Sequence, residues 1–175
     1  IAVKKETPIL EDNSVRNIVG IDFGMNFLAV SYDSAGKTNF FEGRHIKDKR
    51  AKFTKTRKSL QQTKTASSRR RLKKLGNREN RWMTDINHKV SKALVSGSIE
   101  GTLFVIEDLT GIRSQTEKVQ RKDRYYSVSW AFYQLRQMLE YKALRSGSKV
   151  VVVDPKYTSQ TCPKCGHTEK ANRNK

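Results

Sequence analysis

The sequence has little of what secreted and membrane proteins contain. Its 175 residues include two cysteines, too few for the disulfide framework that holds small secreted domains together. No hydrophobic run approaches the roughly 20 residues that a transmembrane helix needs, and nothing near Ile1 is typical of a signal peptide. We therefore expect a cytoplasmic protein without membrane contact.

Acidic residues are scarce relative to basic ones. The chain has 36 Lys and Arg against 17 Asp and Glu, which gives a net charge of +19. A polyanion that binds such a surface relieves its self-repulsion and releases counterions, so nucleic acid is the expected partner. The excess is local, because the stretch 44–82 holds sixteen Lys and Arg but only Asp48 and Glu79 as acids. We predict that this stretch is a long solvated helix or a helical hairpin.

The basic stretch predicts contacts with phosphates rather than with bases, although a merely solvated charged face remains an alternative. The residues predicted to bind nucleic acid are Lys55, Arg57, Lys58, Lys64, Arg69, Arg70, Arg71, Lys73, Lys74 and Arg78. Tyr125 and Tyr126, flanked by basic residues, are candidates for stacking on bases, whereas Trp82 and Trp130 lie in helical patterns typical of a core.

Short apolar runs indicate the fold class. Runs beginning at Ile18, Phe27, Thr38, Thr102 and Lys149 predict five strands, and helical spacing after Trp82 and from Ser129 to about Ser146 predicts two amphipathic helices. Four consecutive valines at 150–153 suggest a last strand buried on both faces. Three strands, then helix, strand, helix and strand, predict an α/β fold with a mixed sheet and flanking helices, an order that suits the ribonuclease H-like fold.

Two carboxylates are expected to meet at one end of this sheet. Asp22 would lie on the first, central strand, and Glu107 would end the neighbouring fourth strand. Carboxylates hold Mg²⁺ well, and two such ions about 4 Å apart assist phosphodiester hydrolysis. The pattern predicts Asp22 and Glu107 as catalytic residues and Mg²⁺ ligands of a nuclease. The alternative, that Asp22 belongs to a turn and Glu107 merely ends a strand, stays open.

The two cysteines lie close together near the end of the chain. Cys162 and Cys165, with Gly166 after them, form half of a zinc knuckle, in which two thiolates sit on a tight turn. A structural zinc site needs four ligands, and His167 could supply a third at most. A redox Cys-x-x-Cys motif is the less favoured alternative, because no helical pattern follows it.

Three segments together resemble the TnpB, or OrfB, family of insertion-sequence proteins, whose relatives are the type V CRISPR effector nucleases. The segments are GIDFG at 20–24, IEDL at 106–109 and VDPKYTSQTCPKCG at 153–166. The resemblance implies a RuvC-like domain with Asp22 and Glu107 as its first two catalytic acids, and a third aspartate and a second cysteine pair beyond Lys175. It implies a two-ion Mg²⁺ site and, in the full-length protein, Zn²⁺ in a ribbon that begins at Cys162 and Cys165.

The same resemblance implies an RNA-guided DNA endonuclease of the prokaryotic cytoplasm or nucleoid, with DNA and a guide RNA as partners and no small-molecule substrate. Residues 1–17 would end a preceding nucleic-acid recognition portion, 18–156 would form the nuclease core with the basic insertion 44–82, and 157–175 would begin the zinc ribbon. We expect both ends of the chain to be artificial and the fragment to cut DNA poorly. Two alternatives remain: a non-catalytic basic zinc-ribbon protein that binds nucleic acid or acts as a transposase accessory factor, and a strand-transfer transposase.

Overall fold

A computed structural model describes residues 10–24, 26–109, 132–158, 160–162 and 164–172. The strands are β1 (Asn17–Asp22), β2 (Phe27–Asp33), β3 (Thr38–Glu42), β4 (Thr102–Glu107) and β5 (Lys149–Val153). The helices of the described ranges are α1 (Arg44–Thr63), α2 (Ala66–Ser96) and α3 (Phe132–Arg145), with short 3₁₀ turns at Asp12–Ser14 and Lys170–Asn172. The predicted α/β class is confirmed.

The five strands form one mixed sheet in the order β3-β2-β1-β4-β5. β1 is central: it runs antiparallel to β2 and parallel to β4, and β4 runs parallel to β5. A tight turn joins β2 to β3, where the Asp33 carboxylate accepts the backbone N–H groups of Ala35 and Lys37 at 3.0 and 2.8 Å. Gly36 in this turn has a φ of +87°, a conformation that favours glycine.

The core lies on one face of the sheet. Strand alternation buries Val19 and Ile21 of β1 and Phe104 and Ile106 of β4 on this face. Both α2 and α3 cover it with apolar side chains, which are Met83, Ile86, Val90, Leu94, Leu135, Leu139 and Ala143. The apolar stripe predicted after Trp82 therefore packs on the sheet as expected, although Ala93, which the spacing placed in that stripe, is exposed.

The opposite face of the sheet is more open. Ile18, Tyr32 and Phe40 point to this face and are 48, 60 and 61% exposed. Because the described helices α2 and α3 pack on the other face, polar groups placed here remain accessible to solvent and to a ligand. Asp22 shares this face by strand alternation.

The basic stretch forms the predicted hairpin, made of α1 and the first half of α2. Lys64 takes a left-handed φ of 53° between the two helices, and the Thr65 hydroxyl caps α2 by accepting the N–H of Ser68 at 3.1 Å. The second helix does not stop at the end of the basic stretch but continues without a break into the apolar stripe, so α2 spans 31 residues. No described helix has the length and apolarity that crossing a membrane requires.

One prediction about β5 is wrong. Val150 and Val152 pack against the core, but Val151 and Val153 point to the open face and stay partly exposed. The strand is therefore not buried on both faces, because the described helices cover only one side of the sheet. The predicted loop 111–127, the start of the helix at Ser129, Trp130, and the stacking candidates Tyr125 and Tyr126 lie outside the described residues.

Candidate functional site

Asp22 and Glu107 lie at the same end of two adjacent parallel strands. The last registered pair between β1 and β4 joins Ile21 to Ile106, and Asp22 and Glu107 are the next residue on each strand. Parallel neighbours lie about 4.8 Å apart, and residues at one register position point to one face. The sequence-based expectation about strand order is met, since β1 is the central strand and β4 is its neighbour.

Strand alternation separates Glu107 from the acid that follows it. Glu107 belongs to the open face together with Leu103 and Val105, and it is partly exposed. Asp108 comes one residue later and forms an ion pair with Arg136 of α3 at 3.8 Å. The two consecutive acids therefore have different neighbours, and Glu107 is the one that shares a face with Asp22.

Gly24 lies close to the backbone of Phe27 in the turn after Asp22. The Gly24 N–H donates to the Phe27 carbonyl at 3.1 Å, and a Cβ added at Gly24 would approach that oxygen to 3.2 Å. A side chain at 24 would therefore require this carbonyl to shift by a few tenths of an ångström. The Asp22 carboxylate itself is exposed, so nothing in the described chain prevents a ligand from reaching it.

Thr158 contacts Glu107, a contact that the sequence did not predict. Its hydroxyl donates to Glu107 Oε1 at 2.9 Å across 51 residues of sequence. Thr158 lies within the 153–166 segment that carries the family resemblance, but neither charge nor spacing distinguished it there. The signal that could have found it is the parallel pairing of β4 with β5, which brings the residues after Val153 beside Glu107.

The carboxylate pair supplies two of the hard oxygen ligands that suit Mg²⁺. Both groups are accessible on one face of the sheet, so their donor type and their placement fit a shared cation. Asp154 at the end of β5 accepts the Lys156 N–H at 2.9 Å and thereby stabilises a turn. Within the described ranges, no group of three His, Cys, Asp or Glu side chains is arranged to hold a metal ion.

The cysteine motif folds as a tight turn. The Cys162 N–H donates to the His167 carbonyl at 2.8 Å, the Gly166 N–H donates to the Cys162 carbonyl at 2.9 Å, and Gly166 has a φ of +72°. Hydrogen bonds from the backbone N–H groups of Cys165 and then Lys164 hold the pKa of the Cys162 thiol below its ordinary value. Lower pKa favours the thiolate, which is the form that binds metals.

Most residues of the predicted nucleic-acid set are exposed on the hairpin. The exception is Arg57, which is half-buried and forms an ion pair with the buried Glu79. Glu79 also lies 4.0 Å from Arg50, so it holds α1 against α2. The nine other members are exposed, which are Lys55, Lys58, Lys64, Arg69, Arg70, Arg71, Lys73, Lys74 and Arg78.

A second basic group, formed by Lys92, Lys142 and Arg145, lines an open groove of about 310 Å³ between the C-terminal parts of α2 and α3. Lys142 lines it and donates to the His88 carbonyl at 2.8 Å and to Ser91 Oγ at 2.6 Å. Burial, and then the charge of Lys92, lower the pKa of Lys142. Lys142 and Arg145 lie in the last turn of α3, where they offset the negative end of the helix dipole, so their placement has a structural explanation.

Two family models match the chain. The model described as a probable transposase, OrfB_IS605, matches residues 1–111, and the model of the Cas12f1-like TNB domain matches residues 132–175. The first match covers more than half of the sequence and includes both Asp22 and Glu107. The second includes Thr158 and both cysteines.

Curated relatives and solved structures agree with these matches. The chain is 31% identical to a TnpB-like protein of Methanocaldococcus jannaschii, covering 95% of this chain and 65% of that protein. It is 33% identical to the CRISPR-associated endodeoxyribonuclease Cas12f2 of a Micrarchaeota archaeon, covering 92% of this chain and 31% of that protein. The cryo-EM structure of a Cas12f1-sgRNA-target DNA complex superposes with a TM-score of 0.67 at 19% identity, over 90% of this chain and 41% of that one. The fold is therefore shared with Cas12f1, and the chain spans less than two thirds of each of these proteins.

Proposed function

The chain belongs to the OrfB_IS605 family of probable transposases, and from this membership we propose that it is the metal-dependent, RuvC-like nuclease core of an RNA-guided DNA endonuclease. The observation that carries the proposal is the placement of Asp22 and Glu107 at adjoining ends of two parallel strands, on the open face of the sheet. The structural likeness to a protein solved with sgRNA and target DNA supports a guide RNA and DNA as partners.

In this proposal, Asp22 and Glu107 would hold Mg²⁺ through their carboxylate oxygens. When bound, Mg²⁺ supplies activation of a water molecule and stabilisation of the leaving oxygen in phosphodiester hydrolysis. The exposed Asp22 would offer an oxygen from the central strand. Glu107 would offer one from β4 while Thr158 engages its other oxygen. The rigid sheet would fix both groups relative to the substrate phosphate.

The hairpin of α1 and α2 would bind the sugar-phosphate backbone. Its nine exposed cations have the chemistry of phosphate contacts, which give affinity without reading sequence. Arg57 has a different task in this scheme, because its ion pair with Glu79 stabilises the hairpin itself.

Cys162 and Cys165 would supply the first two ligands of a zinc ribbon. The lowered pKa of Cys162 and the turn closed by Gly166 suit thiolate ligation. Two thiolates are half of a tetrahedral site, so two more ligands are required.

The decisive experiment replaces Asp22 by Asn and Glu107 by Gln in the complete protein loaded with its guide. Each substitution removes a charge that holds Mg²⁺, so cleavage should fall by about a hundredfold or more while DNA binding stays unchanged. Asp108→Asn is the matched control, since Asp108 pairs with Arg136 rather than sharing the site. Cleavage at the unsubstituted rate by the Asp22→Asn protein would refute the assignment.

A second candidate function is a nucleic-acid-binding protein without nuclease activity. It is favoured by the nine exposed cations of the hairpin, which suit binding to a phosphate backbone without any reaction at the carboxylates. The same experiment separates the two, because such a protein would bind DNA or RNA in Mg²⁺ without cutting it, with or without Asp22.

A further inference from the structure

We propose that Thr158 is a positioning residue for Glu107: its hydroxyl fixes one carboxylate oxygen so that the other is directed toward a shared cation. This inference rests on the proposed function, because it assigns Thr158 a task only if Glu107 is a metal ligand. Three observations carry it, namely the strand pairing, the turn after β5 and the hydrogen bond itself.

The strand pairing brings the two segments together. Val153 at the end of β5 is registered with Glu107 at the end of β4, and the Asp108 N–H donates to the Val153 carbonyl at 2.8 Å. The ladder therefore continues past Glu107, and the end of β5 is fixed beside it. Whatever follows Val153 in the chain must leave from this point.

The turn after β5 sends the chain back toward Glu107. Asp154 accepts the Lys156 N–H at 2.9 Å, and Tyr157 then takes a φ of +65°, in the left-handed region that residues with a Cβ rarely adopt. The Tyr157 carbonyl accepts the N–H groups of Gln160 and Thr161 at 2.8 and 3.0 Å. A non-glycine residue persists in this conformation when its surroundings determine it strongly, and such residues concentrate at functional sites.

The hydroxyl of Thr158 has two acceptors within reach. Glu107 Oε1 lies at 2.9 Å and the Pro155 carbonyl at 3.1 Å. A hydroxyl carries one proton, and the ionised carboxylate is both the nearer and the stronger acceptor. In the alternative role, the hydroxyl closes the turn by donating to the Pro155 carbonyl and does not involve Glu107. The two roles therefore predict different responses when Glu107 is changed.

The substitution that tests the role is Thr158→Val, which keeps the shape of the side chain and removes its donor. Thr158→Ser keeps the donor and should restore the behaviour of the unsubstituted chain. Thr161→Val is the matched control, because the Thr161 hydroxyl contacts the Tyr157 carbonyl and Thr168 Oγ1 in the same segment without reaching Glu107.

The first measurement is the Mn²⁺ affinity of the complete protein, taken from the electron paramagnetic resonance signal of the free ion. Thr158→Val should weaken Mn²⁺ binding about tenfold, at the low end of the loss that follows removal of a hydrogen-bond partner of a metal ligand, because Thr158 is exposed. Thr158→Ser and Thr161→Val should bind as the unsubstituted chain does. Unchanged affinity in Thr158→Val, or an equal loss in Thr161→Val, would overturn the inference.

The second measurement needs no metal and uses hydrogen exchange at the amides of Gln160 and Thr161. If the turn is tied to Glu107, then Glu107→Ala and Thr158→Val should each speed exchange, and the double variant should exchange no faster than either single one. Fully additive effects would show that the contact is absent and overturn the inference.

The two proposals fail in different ways. If Asp22→Asn and Glu107→Gln weaken Mn²⁺ binding while Thr158→Val does not, positioning by Thr158 is wrong and the proposed function stands. If the unsubstituted complete protein binds no Mn²⁺, or binds it equally well without both carboxylates, both proposals are overturned.

Discussion

The two halves of α2 share one helix and are held in place by different forces. The C-terminal half buries Met83, Ile86, Val90 and Leu94 against the sheet and α3. The N-terminal half, in the hairpin with α1, buries Ser68 and Glu79 instead, and Glu79 pairs with Arg57. The apolar contacts belong to the core of the whole sheet, whereas the ion pairs of Glu79 with Arg50 and Arg57 stabilise a local contact between α1 and α2. The comparison shows how a single helix can be anchored at one end and present a charged surface at the other.

Two leucines, one in each half of α2, allow the stability of the two halves to be compared with the same substitution. Leu94 is 4% exposed and Leu75, on the other half of the same helix, is half-buried. We expect Leu94→Ala to lower the free energy of unfolding by about 4 kcal/mol, through lost burial and the cavity it leaves. Leu75→Ala should cost about 1 kcal/mol. Urea denaturation followed by circular dichroism measures both, and equal costs would show that the hairpin shares the core's stability.

The buried acid of the hairpin should give the next largest effect. Glu79→Gln leaves Arg50 and Arg57 without the carboxylate between α1 and α2, which should cost about 3 kcal/mol. The loss should be local, so hydrogen exchange should speed up in the hairpin and stay slow in the central strands β1 and β4. Thr56→Val is a suitable control, since its hydroxyl contacts the Lys52 carbonyl within α1. Exchange that rises equally in the sheet would contradict local anchoring.

Substitution of the exposed cations should have the smallest effect on stability. It should change the affinity for nucleic acid instead. Lys74→Gln on the hairpin should change the free energy of unfolding by less than about 0.5 kcal/mol. In a plot of log affinity for duplex DNA against log salt concentration, the slope should become shallower by about 1, which corresponds to the loss of one phosphate contact. Lys89→Gln on the other half of α2 is the control, because Lys89 pairs with Asp85 at 2.7 Å. Equal slopes for the two variants would mean that net charge alone governs binding.

Much of the fold and the carboxylate pair could be predicted, because apolar runs give the order of strands and the strand order places Asp22 beside Glu107. The continuity of α2 could not be predicted. In the basic stretch the helix is held by the ion pair of Glu79 rather than by apolar side chains at helical spacing, which this stretch lacks. The partial exposure of Val151 and Val153 depends on which face of the sheet the described helices leave open, and four consecutive valines have no alternation that would predict it. Thr158 escaped prediction because its contact depends on a turn whose direction is set by the left-handed Tyr157.

The length of α1 determines how far the turn of the hairpin lies from its base. Its 20 residues, at about 1.5 Å each, separate Gly43 from the hairpin turn at Lys64 by about 30 Å. That span equals about nine base pairs of duplex at roughly 3.4 Å each. In the proposed function, a rigid duplex that lies along α1 must be at least this long to contact both the base and the tip of the hairpin.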